Sequence, residues 1–330
     1  MAQALRLAER GLYSANPNPR VGCVIVRDGQ VVGEGWHERA GTPHAEIHAL
    51  QQAGERMRGS TVYVTLEPCS HHGRTPPCTD SLIAADVARV VAAMRDPNPR
   101  VAGQGIEKLS RTGIQVEVGL MQVQAQELNI GFVSRMTRKR PWVRLKAAAS
   151  LDGKTALNNG VSKWITGPAA RSDVQHWRAR SCAILTGVGT VLADDPQMNV
   201  REIETVRQPL RVIVDSSLKT PLSAKILAGG KALIACAVED AVKVQALRTV
   251  GAEVLVLPSS GGDVDLARLL QVLAEREVNE LMVEAGATLN GALLNAGLVD
   301  ELILYLAPVL MGDAARGLFV LPHQTHILHG

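Results

Sequence analysis

Aromatic side chains are scarce: four Trp, three Tyr and two Phe among 330 residues, 3% of the chain. Hydrophobic cores must therefore be built from Val, Leu, Ile and Ala. No basic stripe with interleaved aromatics occurs, which argues against a nucleic-acid reader. Charge of one sign is also lacking. A formal net charge of +3 is too small and too dispersed to mark a nucleic-acid or membrane surface. No apolar run reaches the roughly 18 to 20 residues of a membrane span, and no signal-peptide pattern opens the chain. Five cysteines, an odd number at irregular spacing, make no disulfide framework. Thiols kept reduced suit the cytoplasm.

What is present is an ordinary globular composition, 46% hydrophobic and 20% charged, in a chain long enough for two cores. The basic run Met136-Thr137-Arg138-Lys139-Arg140, closed by Pro141, sets a boundary between domains at residues 1–140 and 141–330. Strands alternate with helices on both sides of it, so each half reads as an α/β layered domain.

The first half is organised around His44 to Cys78. His44-Ala45-Glu46 is followed by Leu66-Glu67-Pro68-Cys69 and by Cys78. One imidazole and two thiolates fill three of the four tetrahedral positions that zinc favours and leave one for water. Glu46, two residues from the imidazole, is placed to carry a proton from that water to a leaving nitrogen. H-x-E with a later P-C-x-x-C is the signature of zinc nucleobase deaminases. The chain departs from it in one respect, because eight residues rather than two separate the cysteines.

Around this core, Met1 to Arg10 reads as a helix, and Gly22 to Val26 with Val31 to Gly35 as a hairpin turning at Asp28-Gly29. Thr42-Pro43 leads into a helix from His44 to Ala53. Strands are predicted at 60–66, 87–93 and 114–118, and a helix after Cys78. Pro68 would open a further helix and place Cys69 at its N-terminus, where the dipole favours thiolate. A purely structural zinc site, with His71 and His72 as ligands, is the competing reading, but it leaves Glu46 without a role. Cys23, Cys182 and Cys236 read as core, and His48 as a packed or solvated helix residue.

In the second half, strands are predicted at 142–148, 183–186, 210–215, 232–235, 253–257, 281–284 and 302–306, with a helix from Pro168 to Arg180. Glycine-rich turns at Gly187 to Thr190 and Gly286 to Gly291 open helices, an arrangement suited to anions. Neither is a dinucleotide fingerprint or a P-loop, and each could be a plain tight turn. With Asp215 and Ser216 at a strand end they suggest a nucleotide site.

Pro17-Asn18-Pro19, Val21-Gly22 and the run from Thr65 through Cys69-Ser70-His71 to Gly73-Arg74-Thr75-Pro76-Pro77-Cys78 resemble the bifunctional deaminase/reductases of riboflavin biosynthesis. Lys146, Ser150 to Lys154, Leu192 to Pro196 and Val283 to Gly286 resemble their reductase half, so the resemblance covers nearly the whole chain. It implies a cytidine-deaminase-like three-layer α/β/α domain followed by a dihydrofolate-reductase-like α/β domain, with zinc and NADPH as cofactors. The substrate implied is a small pyrimidine ribosyl phosphate, deaminated and then reduced from ribosyl to ribityl; a homo-oligomer is compatible with this. In the deaminase, Asn18, His37 and Arg74 would line the substrate pocket. In the reductase, Ala148, Trp164, Thr190, Asp194, Ser216 and the loop Gly286, Ala287, Thr288, Leu289, Asn290, Gly291 and Ala292 would touch the cofactor. Ser162, Arg178, Met198, Arg201 and Glu284 would meet the ribose-phosphate substrate. Without the resemblance, Arg178 reads as a surface residue on an exposed helix. Relatives carry residues before Met1 and strand-forming sequence after Pro322, where this chain has His323 to Gly330. The tail is therefore read as disordered or altered, with a sheet edge left exposed. The rival functions are a zinc deaminase of another base with an inactive second half, and a zinc-stabilised module without catalysis.

Overall fold

The computed structural model describes residues 1–71, 76–99 and 101–322. Two compact units, Met1–Arg140 and Pro141–Gly330, divide the chain. Among the described residues no helix is long and apolar enough to cross a membrane.

The first unit opens with α1 (Ala2–Glu9) and the hairpin β1 (Gly22–Arg27) and β2 (Gln30–Trp36). Its two turn residues, Asp28 and Gly29, both have positive φ, the backbone that tight hairpins require. Next come α2 (Ala45–Ala53), β3 (Thr61–Val64), α3 (Cys78–Ala84) and β4 (Arg89–Ala92). The unit closes with α4 (Gln104–Arg111), β5 (Gln115–Val118), α5 (Gln122–Leu128) and α6 (Ile130–Arg138). The sheet runs β2-β1-β3-β4-β5, antiparallel through β1 and parallel from β3 to β5. Strand alternation decides the layers. Cys23 and Ile25 pack with Ala49, Leu82 and Leu109 of α2, α3 and α4, whereas Val24 packs with Ala4 and Leu7 of α1. The result is an α/β/α sandwich.

Two glycines seat α2. A Cβ on Gly33 would stand 2.1 Å from the Ala49 carbonyl oxygen, and one on Gly35 would stand 2.2 Å from that of Ala45. Only a strand without side chains at these points lets the helix lie so close, and that closeness fixes where its first turn points.

The second unit contains β6 (Trp142–Ser150), β7 (Lys154–Ala156), α7 (Pro168–Arg180), β8 (Ala183–Gly187) and α8 (Val188–Asp194). It continues through β9 (Leu210–Val214), β10 (Ala232–Cys236), α9 (Ala241–Thr249), β11 (Ala252–Val256) and α10 (Leu266–Glu275). The last elements are β12 (Glu280–Val283), α11 (Ala287–Asn295), β13 (Glu301–Ala307) and β14 (Arg316–Gly317). Seven strands form one sheet, β11-β10-β9-β8-β12-β6-β13, with every pairing parallel. Such sheets are covered on both faces and read as continuous apolar runs. Leu185, Val212 and Leu233 pack with α10 and α11, and Ile184, Ile213 and Ile234 with α7 and α9.

Three expectations need correction. Cys69, Ser70 and His71, the described residues that directly follow Pro68, form no helix. Helices α4, α5, α6, α9 and α10 were not anticipated, although α10 carries a regular apolar stripe of Leu266, Leu269, Leu270 and Leu273. Arg178 is no surface residue: it is 8% exposed. His72, Arg74 and the tail from His323 to Gly330 lie outside the described residues.

Candidate active sites

His44 is the N-cap of α2, its backbone still extended, so the imidazole leaves the helix end and not its side. Cys78 starts α3, and Cys69 follows β3. Their ligand atoms converge. Nδ1 of His44 lies 3.2 Å from Sγ of Cys78 and 3.6 Å from Sγ of Cys69, and the three ligand atoms all lie within 4.8 Å of one another. Tetrahedral zinc with ordinary Zn–N and Zn–S bonds spaces such atoms by about 3.5 Å. The donor set fits the ion.

The backbone N–H of Cys78 donates to Sγ of Cys69 at 3.3 Å. The thiolate of Cys69 is stabilised first by the Cys78 thiol, then by His44 and the first amide of α3, which against burial hold its pKa well below the ordinary thiol range. The Cys78 thiol, facing the Cys69 sulfur and buried, is pushed up. Glu46, in the first turn of α2, is 3% exposed. Burial raises its carboxyl pKa against the opposing pull of His44.

His37 stands edge-on to His44 with ring centroids 5.3 Å apart. Its Nδ1 lies 3.2 Å from the Pro43 carbonyl oxygen, and its Nε2 3.0 Å from Nδ2 of Asn18. The carbonyl can only accept, so Nδ1 carries the proton and Nε2 accepts from the Asn18 amide. Asn129, at the junction of α5 and α6, accepts from the Arg20 N–H and donates to the Arg20 carbonyl, which anchors the Asn18 loop from behind.

In the second unit the glycine-rich turns meet at the carboxyl ends of the paired strands β8 and β12, the edge where parallel sheets bind ligands. Gly187 and Gly286 are the N-caps of α8 and α11, and a Cβ on Gly286 would stand 3.9 Å from Oγ1 of Thr190. Oδ1 of Asn290 is buried without a partner among the described residues, an acceptor aimed from the first turns of α11. These features suit a nucleotide cofactor. Trp164 is 71% exposed with the Arg171 guanidinium 4.5 Å above its ring. Asp194 faces Lys163 at 3.6 Å, and Ser216 donates to Asp263 at 3.2 Å. Ala148 pairs in register with Tyr305.

Arg178, Met198 and Glu284 form one cluster. The guanidinium holds both oxygens of Glu284 at 2.6 and 2.9 Å, donates to the Asn199 carbonyl at 3.0 Å, and reaches Sδ of Met198 at 3.8 Å. Burial pushes the Glu284 carboxyl up, but Arg178 outweighs it, with Lys146 and Arg201 adding to the pull, and the pKa lies below its ordinary value. Ser162 makes no side-chain hydrogen bond with this cluster among the described residues. Sequence reasoning gave Lys146 no role, yet it lies beside Glu284 and over the Tyr305 ring at 5.8 Å, its pKa lowered by burial. The available signal was a lone lysine in the apolar strand β6.

Residues 1–94 match the cytidine and deoxycytidylate deaminase zinc-binding region, and residues 141–327 match the RibD C-terminal domain. The chain is 53% identical to the riboflavin biosynthesis protein RibD of Escherichia coli, over 98% of this chain and 90% of that protein. It is 48% identical to RibD of Haemophilus influenzae, over 99% and 90%. A solved structure of Acinetobacter baumannii RibD superposes with a TM-score of 0.90 at 48% identity, covering 98% of this chain and 90% of that one. The Thermotoga maritima diaminohydroxyphosphoribosylaminopyrimidine deaminase/5-amino-6-(5-phosphoribosylamino)uracil reductase gives 0.85 at 36% identity, covering 96% and 88%. The folds are accordingly a cytidine-deaminase-like domain and a dihydrofolate-reductase-like domain, with zinc and NADPH as their cofactors. With a family model matched in each half and RibD relatives matched over 98% of its length, the chain belongs to the RibD family of bifunctional deaminase/reductases of riboflavin biosynthesis.

Proposed function

We propose that the first unit hydrolytically deaminates 2,5-diamino-6-ribosylamino-4(3H)-pyrimidinone 5′-phosphate to 5-amino-6-(5-phosphoribosylamino)uracil, and that the second reduces the ribosyl group to ribityl. The observation that carries this reading is the convergence of one imidazole nitrogen and two sulfurs beside a buried carboxyl. His44, Cys69 and Cys78 hold Zn2+, which when bound activates water at neutral pH. Glu46 receives the proton of the attacking water at a carboxylate oxygen and delivers it to the leaving nitrogen. The water oxygen ends on C2 of the ring and ammonia departs. Glu46 is 3% exposed, so its carboxyl exchanges the proton with the water and the leaving group and not with bulk solvent. Asn18, oriented by His37, lines the pyrimidine pocket, and Arg74 supplies a cation toward the phosphate.

NADPH supplies the reducing equivalent for reduction at C1′. Ala148, Trp164, Thr190, Asp194, Ser216 and the loop Gly286 to Ala292 hold it, the N–H groups that open α11 facing its phosphates. Ser162, Arg178, Met198, Arg201 and Glu284 hold the substrate. Arg178 is committed to Glu284 and the Asn199 carbonyl, so exposed Arg201 is the guanidinium better placed for the phosphate. The five free thiols support a reducing cytoplasm as the setting.

The test is ammonia release and NADPH oxidation on the purified chain, with zinc content measured. Glu46→Gln should keep zinc and lose deamination; an unchanged rate would overturn the assignment. Failure to oxidise NADPH on the deaminated product would leave a deaminase with an inactive second half.

A further inference from the structure

Between β3 and Cys69 sits a carboxylate that neither reaction uses. Glu67 is 5% exposed, and both of its oxygens are occupied. Oε2 accepts from the N–H groups of Asp96 at 3.1 Å and Gly103 at 3.0 Å. Oε1 accepts from those of Gly105 at 2.9 Å and Ile106 at 3.3 Å. The N-cap of α4 is Gly103, which has no side chain to cap the helix. Glu67 therefore caps α4 from another segment, and its negative charge faces the positive end of the helix.

All four partners are donors. A carboxylate can meet them with two oxygens, whereas the isosteric amide would turn its NH2 toward two of the N–H groups. The approach is close: a Cβ on Gly105 would stand 2.1 Å from the Pro68 carbonyl oxygen. The Glu67 amide in turn donates to the Met94 carbonyl at 2.9 Å. The residues immediately before Cys69 are thus fastened to Met94 just past β4, to the loop at Asp96 and to α4.

We propose that Glu67 is a positioning residue for Cys69, holding the ligand loop in place so that its sulfur stays where His44 and Cys78 can share an ion with it. This rests on the reading of those three residues as zinc ligands. It predicts that outer contacts of a ligand loop govern metal retention, an effect that commonly amounts to about 10- to 100-fold in affinity; for Glu67, one residue removed from the ligand, about tenfold is expected.

The experiment measures release of zinc from the zinc-loaded full chain to a chromophoric chelator, for wild type and Glu67→Gln. A cooperative urea transition of the first unit, with circular dichroism matching wild type, serves as a check that the variant is folded. Release about tenfold faster supports the proposal; release within about twofold of wild type overturns it. Should Glu67→Gln fail to fold, hydrogen exchange on the wild type decides. The amides of Asp96, Gly103, Gly105 and Ile106 should lose protection when zinc is removed, and unchanged protection overturns the coupling. A wild-type chain that binds no zinc at all would instead refute the underlying ligand assignment.

Discussion

Cys78 donates its backbone N–H to the sulfur of Cys69 at 3.3 Å, so one proposed metal ligand prepares the other. The first amide of α3 has no acceptor within its own helix and spends its hydrogen on a thiolate across the site. After chelation of zinc the two thiols should therefore differ. Iodoacetamide should modify Cys69 before Cys78, because Cys69 is the thiolate of the pair. Peptide mapping after brief alkylation at pH 7 checks this; equal labelling would contradict the asymmetry.

A side chain at Gly35 should disturb the metal site from beneath. Alanine there places a Cβ 2.2 Å from the Ala45 carbonyl oxygen and 2.8 Å from the Ala49 nitrogen, both backbone atoms of α2. Overpacking of this kind costs about 1–3 kcal/mol. Because α2 carries His44 and Glu46 at its start, Gly35→Ala should lower zinc content as well as the urea midpoint, while NADPH binding by the second unit persists.

Removing the guanidinium of Arg178 should leave Glu284 buried without its hydrogen-bonded counter-charge, at a cost of up to about 3–5 kcal/mol. The pH dependence follows in sign. In the wild type the Glu284 carboxyl lies below its ordinary value, so its stabilisation is complete above that value and fades as pH falls through the lowered pKa. In Arg178→Met burial is opposed only by Lys146 and Arg201, and the carboxyl should rise. The penalty should then be greatest at pH 8 and shrink toward pH 5 as Glu284 takes up a proton. Urea unfolding at several pH values reads this directly.

Gly291→Ala should weaken NADPH binding by about tenfold, roughly 1.4 kcal/mol. A Cβ at that position would lie 2.1 Å from the Val320 carbonyl oxygen, and Val320 itself donates its N–H to Ala287 at 3.0 Å. Separating the two segments tilts α11 and the amides that open it. Fluorescence titration with NADPH measures the change, and an unchanged affinity would show that these amides do not hold the cofactor.

The convergence of His44, Cys69 and Cys78 could be anticipated from the chain because metal chemistry demands particular donors and α2 begins where Pro43 interrupts the backbone. The strands of the second unit were legible for a similar local reason: a parallel sheet covered on both faces leaves uninterrupted apolar runs, as in Ala232–Cys236. What escaped reading depends on distant partners. Arg178 lies on a helix of low apolar content, and its burial follows from Glu284, 106 positions away. The helix expected at Cys69 does not form: Cys69 and Ser70 have no regular structure, and Glu67 just before them directs its carboxylate to α4. Lys146 carries no local mark beyond its charge among apolar neighbours.

The four amides gathered by Glu67 also bear on how the chain is made. A nascent polypeptide that has emerged as far as Cys78 already contains all three metal-binding side chains. The last hydrogen bond that steadies the Cys69 loop comes from Ile106, 39 positions after Glu67. During synthesis the donor set is complete before its scaffold is, and durable capture of the ion must wait until the start of α4 has left the ribosome.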